Sequence, residues 1–424
     1  MRCVWILGVA CLLAWSGGRV ARAAGESEGG GQSGPLKVYI LAGQSNMQGH
    51  AKVSTLAYMA EDPATAGLLA EMTDGDGGFR TVANTWVSYL TQGRGPEMGE
   101  GTGPLTVGFG ARTDPAEASD TIGPEYTFGL RMREAVDGPI LIIKTAWGGK
   151  SLHTDFRPPS AGPYQFDEAR LERFKEQGKD VEAIQAAKAE ATGRYYRLMI
   201  DHVKKVLADL RRVYPDYDPK QGYELAGLVW FQGWNDMVDR GTYPHRGEPG
   251  GYDQYSELLA QFIRDVRKDL AAPKMPVVIG VMGVGGPVDK YRPDQQRYKG
   301  VHQNFRNAMA APASLPEFQG NVAAVLTEDY WDMDVVELRV KEKEIKQKKD
   351  EINNAVKQKK ISREEGKTAL ERLYAETFTP RELVILREST SNFDFHYMGS
   401  AKIVAQIGKG FAEAMVELMK RQKH

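Results

Sequence analysis

The stretch Leu41–Gly49, reading L-A-G-Q-S-N-M-Q-G, places a serine where a short apolar run meets a turn. Val38–Leu41 suits a buried strand, the chain turns through Gly43, and Ser45 follows between Gln44 and Asn46. A serine at the mouth of such a turn can project its hydroxyl out of a sheet, the placement that nucleophilic catalysis needs. No glycine stands two residues after it, so the turn is not the G-x-S-x-G elbow. Alone, the turn is equally compatible with Ser45 capping the next segment. A serine hydroxyl is a weak nucleophile until a base takes its proton, and imidazole is the usual base near neutral pH. His396, in S-N-F-D-F-H-Y near the other end of the chain, is the candidate base. The oxyanion formed on attack needs donors already in place. The backbone N–H groups of Ser45 and Gly149 and the side-chain amide of Asn235 could supply three, and losing one such donor costs roughly 10²–10³ in rate.

These groups are far apart in sequence, so the fold must bring them together. Lys37–Leu41, Pro139–Thr145, Ala226–Phe231, Pro276–Met282 and Val322–Thr327 are continuously apolar rather than alternating. Helical spacing covers Tyr126–Ala135, about 183–213, Tyr252–Leu270 and Gly399–Met419, the last with Ile403, Ile407, Phe411 and Met415 on one face. Strand–helix alternation with apolar strands predicts an α/β fold with a central parallel sheet covered on both faces. Ligands bind such sheets at the carboxyl ends of the strands, where Ser45, Gly149 and Asn235 all fall. Residues 50–122 form a long loop insertion suited to walling a site, with Trp86–Thr91 and Pro104–Phe109 as a candidate hairpin. Residues 335–375 predict a charged helical hairpin insertion. Eight of the ten residues 341–350 are charged, Leu338, Ile345 and Ile352 recur at seven, and Ser362 with Glu365 reads as a capping box. Oligomerisation through that hairpin stays open, as does a purely structural arm.

Composition removes several function classes. Among 424 residues, 55 basic side chains balance 56 acidic ones, so nothing favours nucleic acid or an anionic membrane surface. Arg2, the apolar run Val4–Trp15 and Ala21-Arg22-Ala23 read as a secretory signal over residues 1–23. A Gly- and Ser-rich flexible linker follows over 24–36, and one domain over 37–424. Both cysteines, Cys3 and Cys11, lie in the leader, so no disulfide or thiolate chemistry is expected in the mature chain. No other run is long enough to span a membrane. His50, His153 and His302 lack metal-ligand spacing, and neither a metal nor a cofactor is expected. The expected location is secreted or periplasmic.

The strings G-Q-S-N-M at 43–47, G-P-E at 123–125, W-G-G-K-S at 147–151, Q-G-W-N-D at 232–236 and H-Y-M-G-S-A-K at 396–402 resemble the SGNH/GDSL hydrolase superfamily. They are most similar to its sialate O-acetylesterase branch, which includes acetylxylan esterases of carbohydrate esterase family six. The blocks stand in family order across about residues 37–420. The resemblance implies a three-layer α/β/α flavodoxin-like fold and metal-free removal of O-acetyl groups from an oligo- or polysaccharide. It makes Ser45 the nucleophile, Ser45, Gly149 and Asn235 the oxyanion hole, and His396 the base that later protonates the leaving sugar oxygen. The family's acid stands three residues before the histidine, where this chain has Phe393. Asp394, a backbone carbonyl and the distant Asp332 are the alternatives for orienting His396. Gln44, Trp147 and Trp234 are candidate substrate contacts, and Arg157 a candidate partner for a carboxylated sugar; Trp147, Trp234 and Arg157 fit structural roles as well. Glu125 is expected to fix loops. A non-catalytic glycan-binding protein on a degenerate hydrolase fold is the competing expectation, and a lipid or thioester substrate a third.

Overall fold

Strand β1 (Leu36–Gly43) is buried at every position but Lys37 in the computed structural model, which describes residues 34–92, 98–112 and 114–422. A strand covered on both faces belongs at the centre of a sheet with helices on each side. The remaining strands are β2 (Ala51–Lys52), β3 (Thr85–Gln92), β4 (Met98–Pro104), β5 (Thr121–Ile122), β6 (Ile140–Ala146), β7 (Tyr223–Phe231), β8 (Val277–Val281) and β9 (Val322–Leu326). Seven of them form one sheet in the order β4-β3-β6-β1-β7-β8-β9, and β2 and β5 form a separate antiparallel pair. All neighbours in the large sheet are parallel except β3 and β4. Without that edge hairpin, β1, β6, β7, β8 and β9 follow the doubly wound order 2-1-3-4-5, whose ligand crevice opens where the winding reverses, between β1 and β7.

Side-chain alternation along β7 shows the two covering layers. Trp230 packs on Phe262 of the helix Asp253–Asp269, and Phe231, the next residue, on Phe411 of the helix Ala401–Gln422. Helix Arg194–Ala208 joins the first layer through Tyr196 on Phe262, and Lys299–Ala310 through Phe305 on Tyr255. Helix Glu125–Ala135 joins the second, packing on Ala401–Gln422 and sending Phe128 against Tyr39 of β1.

Three expectations change. The sheet is mixed, because β4 runs antiparallel at one edge, and its residues are Met98–Pro104 rather than Pro104–Phe109. Glycine at 99, 101 and 103 hides this strand from an apolar pattern. A Cβ on Gly101 would stand 2.1 Å from an Arg112 guanidinium nitrogen and 2.2 Å from the Pro115 carbonyl, so the following loop packs directly on the backbone. The helical region 183–213 is two helices, Val181–Ala191 and Arg194–Ala208, broken at Gly193, whose φ is +69°. The charged region folds as helices Met333–Glu344, Lys346–Lys357, Arg363–Thr377 and Pro380–Glu388, and Ile345 sits at a break rather than inside a continuous seam. Ser362 and Glu365 form the reciprocal capping box. The leader assigned to residues 1–23, and the linker up to residue 33, lie outside the described residues. No helix among those described is long and apolar enough to cross a membrane.

Candidate active site

The register of the three central strands brings the distant motifs together. Gly43 at the end of β1 lies opposite both Ala146 of β6 and Phe231 of β7. The turns that follow therefore leave the sheet side by side. A Cβ at Gly43 would stand 2.1 Å from the Phe231 carbonyl oxygen, so only glycine permits this approach. Gln44 N–H donates to the Phe231 carbonyl at 3.3 Å, and Trp147 N–H to the Gly43 carbonyl at 3.2 Å. Ser45 opens the helical turn Ser45–Gln48, so its N–H has no acceptor within that turn.

Gln44 ties this turn to the next. Its Oε1 accepts from Gly233 N–H at 3.0 Å and from the Gln232 side chain at 3.2 Å. Its Nε2 donates to Asn235 Oδ1 at 3.0 Å and lies 3.5 Å from Ser45 Oγ. Because the Asn235 carbonyl is occupied, its Nδ2 hydrogens point away from Gln44 and stay free to donate elsewhere. Gln44 is 1% exposed with both ends of its amide engaged. It therefore positions Asn235 rather than contacting substrate, a correction to its expected role. Asp236, also fully buried, accepts from the N–H groups of Leu152 and His153, from Gln232 Nε2 at 2.6 Å and from the Tyr243 hydroxyl. This locks the loop carrying Gly149 against the Asn235 turn. Gly149, at φ +72°, has nothing within 4 Å of where a Cβ would be, so open space lies beside its backbone.

His396 reaches the same place from the far end of the chain. The segment Asp394–Gly399 packs against the turn Ser45–Gln48. The His396 ring stacks on His50 with centroids 4.0 Å apart and planes 3° from parallel. Its Nδ1 lies 3.0 Å from Asn392 Oδ1. Phe393 N–H donates to that same oxygen at 2.8 Å, which identifies it as the carbonyl, since an N–H can only donate to an acceptor. Nδ1 therefore carries the hydrogen, and Nε2 keeps its lone pair free to accept a proton. No hydrogen bond joins Ser45 Oγ to His396 in this structure. Hydrogen bonds between a nucleophile and its base commonly tighten when substrate binds.

Asn392 and His50 are the residues that sequence reasoning missed. An amide side chain four residues before the histidine was the available signal for Asn392. Asp394 does not reach the imidazole: its carboxylate is exposed and takes Arg339 at 2.6 Å. Asp332 is also committed elsewhere, capping Val335 N–H and pairing with Lys402 at 2.7 Å. Trp147 is 1% exposed and packs on Phe156 and Tyr195, with its Nε1 on Met98. It is a core residue, not a sugar platform. Arg157 spends its donors on the carbonyls of His153, Ala161 and Gly162, closing its own loop, so it is not free for a carboxylated sugar. Trp234 is half-buried beside Phe395 at the site. Glu125 fixes loops as expected, accepting from Gly123 N–H and Lys144. Among the described residues no group of three His, Cys, Asp or Glu side chains could hold a metal ion. A separate cleft at the amino ends of the strands, lined by Lys37, Asp137 and Glu224, carries none of these groups.

Burial, and then the neighbouring His50 imidazole, lowers the His396 pKa to about 3; burial, and then Lys144, lowers His50 to about 4. Two stacked rings cannot both hold charge cheaply. His396 is thus unprotonated well below the ordinary histidine value of 6.5. The acid limb of kcat/KM is accordingly expected well below pH 6.5; a limb between 6.5 and 7 would contradict this geometry. The folded values lie below the unfolded one, so the associated stability is full above pH 6.5 and is lost as pH falls through about 4. Melting temperature measured across that window checks the sign.

The model of the family described as carbohydrate esterase, sialic acid-specific acetylesterase matches residues 35–329, a span that includes Ser45, Gly149 and Asn235 and ends before His396. Among solved structures, a protein from Arabidopsis thaliana is 17% identical, with 69% of this chain and 86% of that one covered and a TM-score of 0.35. XAC1771, described as a novel carbohydrate acetylesterase from Xanthomonas citri, is 16% identical, with 70% and 51% covered and a TM-score of 0.36, so this chain spans about half its length. NanS is 14% identical, with 69% and 78% covered and a TM-score of 0.35. No curated protein sequence matches the chain.

Proposed function

Because the chain belongs to the carbohydrate esterase family of sialic acid-specific acetylesterases, we propose that Ser45 and His396 carry its acetyl-ester hydrolysis through an acyl-enzyme. Ser45 Oγ attacks the acetyl carbonyl carbon while His396 Nε2 takes the hydroxyl proton. The oxyanion is held by the N–H groups of Ser45 and Gly149 and by Asn235 Nδ2. The His396 imidazolium then protonates the departing sugar oxygen as the C–O bond breaks, leaving acetyl-Ser45. Water, deprotonated by His396, attacks that ester; the imidazolium returns the proton to Ser45 Oγ as the acyl C–O bond breaks and acetate leaves. The observation that carries this reading is the shared acceptor at Asn392 Oδ1, which fixes His396 in the tautomer with a basic Nε2. On this reading Asn392 takes the place of the acid missing at position 393. An uncharged amide orients a catalytic histidine in Cys-His-Asn enzymes in the same manner.

The substrate of this reading is an acetylated oligo- or polysaccharide, processed on an SGNH-type, flavodoxin-like framework after export directed by residues 1–23. Acetate release from acetylated xylan, acetylated pectin and O-acetylated sialic acids tests it, with Asn392→Ala alongside. The wild type is expected to release acetate from at least one, and Asn392→Ala to lower kcat roughly 10²–10⁴-fold with the fold intact. No acetate from any substrate, or full activity in Asn392→Ala, would overturn it.

A further inference from the structure

Three aromatic rings run outward from the proposed oxyanion turn past His396, and the proposed function uses none of them. Trp234, next to Asn235, lies 5.6 Å from Phe395 between ring centroids, with planes 37° apart. Phe395 stacks on Phe393 at 5.3 Å with planes 14° apart, and its ring also meets the His396 imidazole edge-on at 4.4 Å. Phe393 is 68% exposed, the most exposed large hydrophobic side chain among those described. It stands at the position where the resemblance expects an acid; with Asn392 on the imidazole, that position is free for another task. The two phenylalanines line an open pocket whose rim holds Arg339 and Asp394, paired at 2.6 Å.

We propose that Phe393, Phe395 and Trp234 form a subsite for a neutral pyranose ring of the glycan chain, adjoining the acetylated unit. A pyranose presents a flat C–H face, which packs on aromatic rings, and a hydroxyl edge, which needs planar donors and acceptors. The strip supplies the first, and the Arg339 guanidinium and Asp394 carboxylate supply the second. A rim with one charge of each sign favours neither an anionic headgroup nor a cationic ligand. Because the strip lies on the segment that carries His396, its occupant sits beside the reacting ester. The inference rests on the esterase reading for its place in catalysis, but binding itself is measurable without turnover.

The test uses the Ser45→Ala full chain, with xylohexaose, cellohexaose and mannohexaose as unacetylated probes and phosphatidylcholine vesicles as the lipid control. Titration calorimetry is expected to show at least one hexasaccharide binding, with affinity falling about tenfold in Phe393→Ala. Phe393→Leu should lose as much, whereas Phe393→Trp should retain binding, because ring stacking needs a flat face and general apolarity does not. Binding of no hexasaccharide, equal binding by Phe393→Leu, or capture of vesicles in place of sugar would each overturn the proposal. Phe393-dependent sugar binding in a protein whose wild type releases no acetate would keep the subsite and remove the esterase reading. Acetate release without Phe393-dependent binding would do the reverse.

Discussion

Ser45→Ala is expected to lower acetate release roughly 10⁴–10⁶-fold, because without the hydroxyl no acyl-enzyme forms and only the oxyanion donors and substrate binding remain. The same substitution should leave stability within about 0.5 kcal/mol, since the hydroxyl has only the Gln44 amide near it, at 3.5 Å. His396→Ala should cost a similar factor. The double variant should cost no more than either alone, because a nucleophile and its base act as one unit. Initial rates on an acetyl ester, with melting curves alongside, check all three. Independent, multiplicative losses would mean that the two residues do not share a step.

The second large effect lies beneath the site. Lys144 of β6 is fully buried and donates to the Gln48 carbonyl at 2.7 Å, the Phe109 carbonyl at 2.8 Å and Glu125 at 2.6 Å. Glu125 is equally buried and has Gly123 N–H as its other partner. One ammonium thus binds the end of the Ser45 turn, the long loop and the start of a covering helix. Lys144→Met removes the cation but leaves a buried carboxylate and two carbonyls without it, and is expected to destabilise by about 3–5 kcal/mol. Replacing both members, as in Lys144→Met with Glu125→Leu, should recover much of that loss, because the uncompensated charge goes as well. Urea unfolding of the wild type and the two variants measures this. If the single substitution cost no more than the double, the pair would not be the clamp described.

The parallel strands and the meeting of their carboxyl ends were legible in the sequence because β1, β6 and β7 are mostly apolar and each ends in a glycine- or amide-rich turn. β4 was not, since alternating glycines erase the pattern that marks a strand. Ser45, Gly149 and Asn235 were legible from their places after strands. The partner of His396 was not: spacing from the histidine suggested a carboxylate, but the 3₁₀ segment Asp394–Gly399 turns Asp394 outward to Arg339 and leaves Asn392 under the ring. The roles of Gln44, Trp147 and Arg157 depend on which side-chain atoms are already engaged, and a residue's type does not carry that information. His50 had meaning only once its ring was seen lying on that of His396.

Labelling with diisopropyl fluorophosphate, followed by peptide mass spectrometry, addresses the nucleophile directly. The account predicts loss of esterase activity in step with a single phosphoryl adduct on Ser45, and little labelling in His396→Ala, where the hydroxyl has no base. Full inactivation with the adduct on any other residue, or Ser45 labelled equally fast without His396, would contradict it.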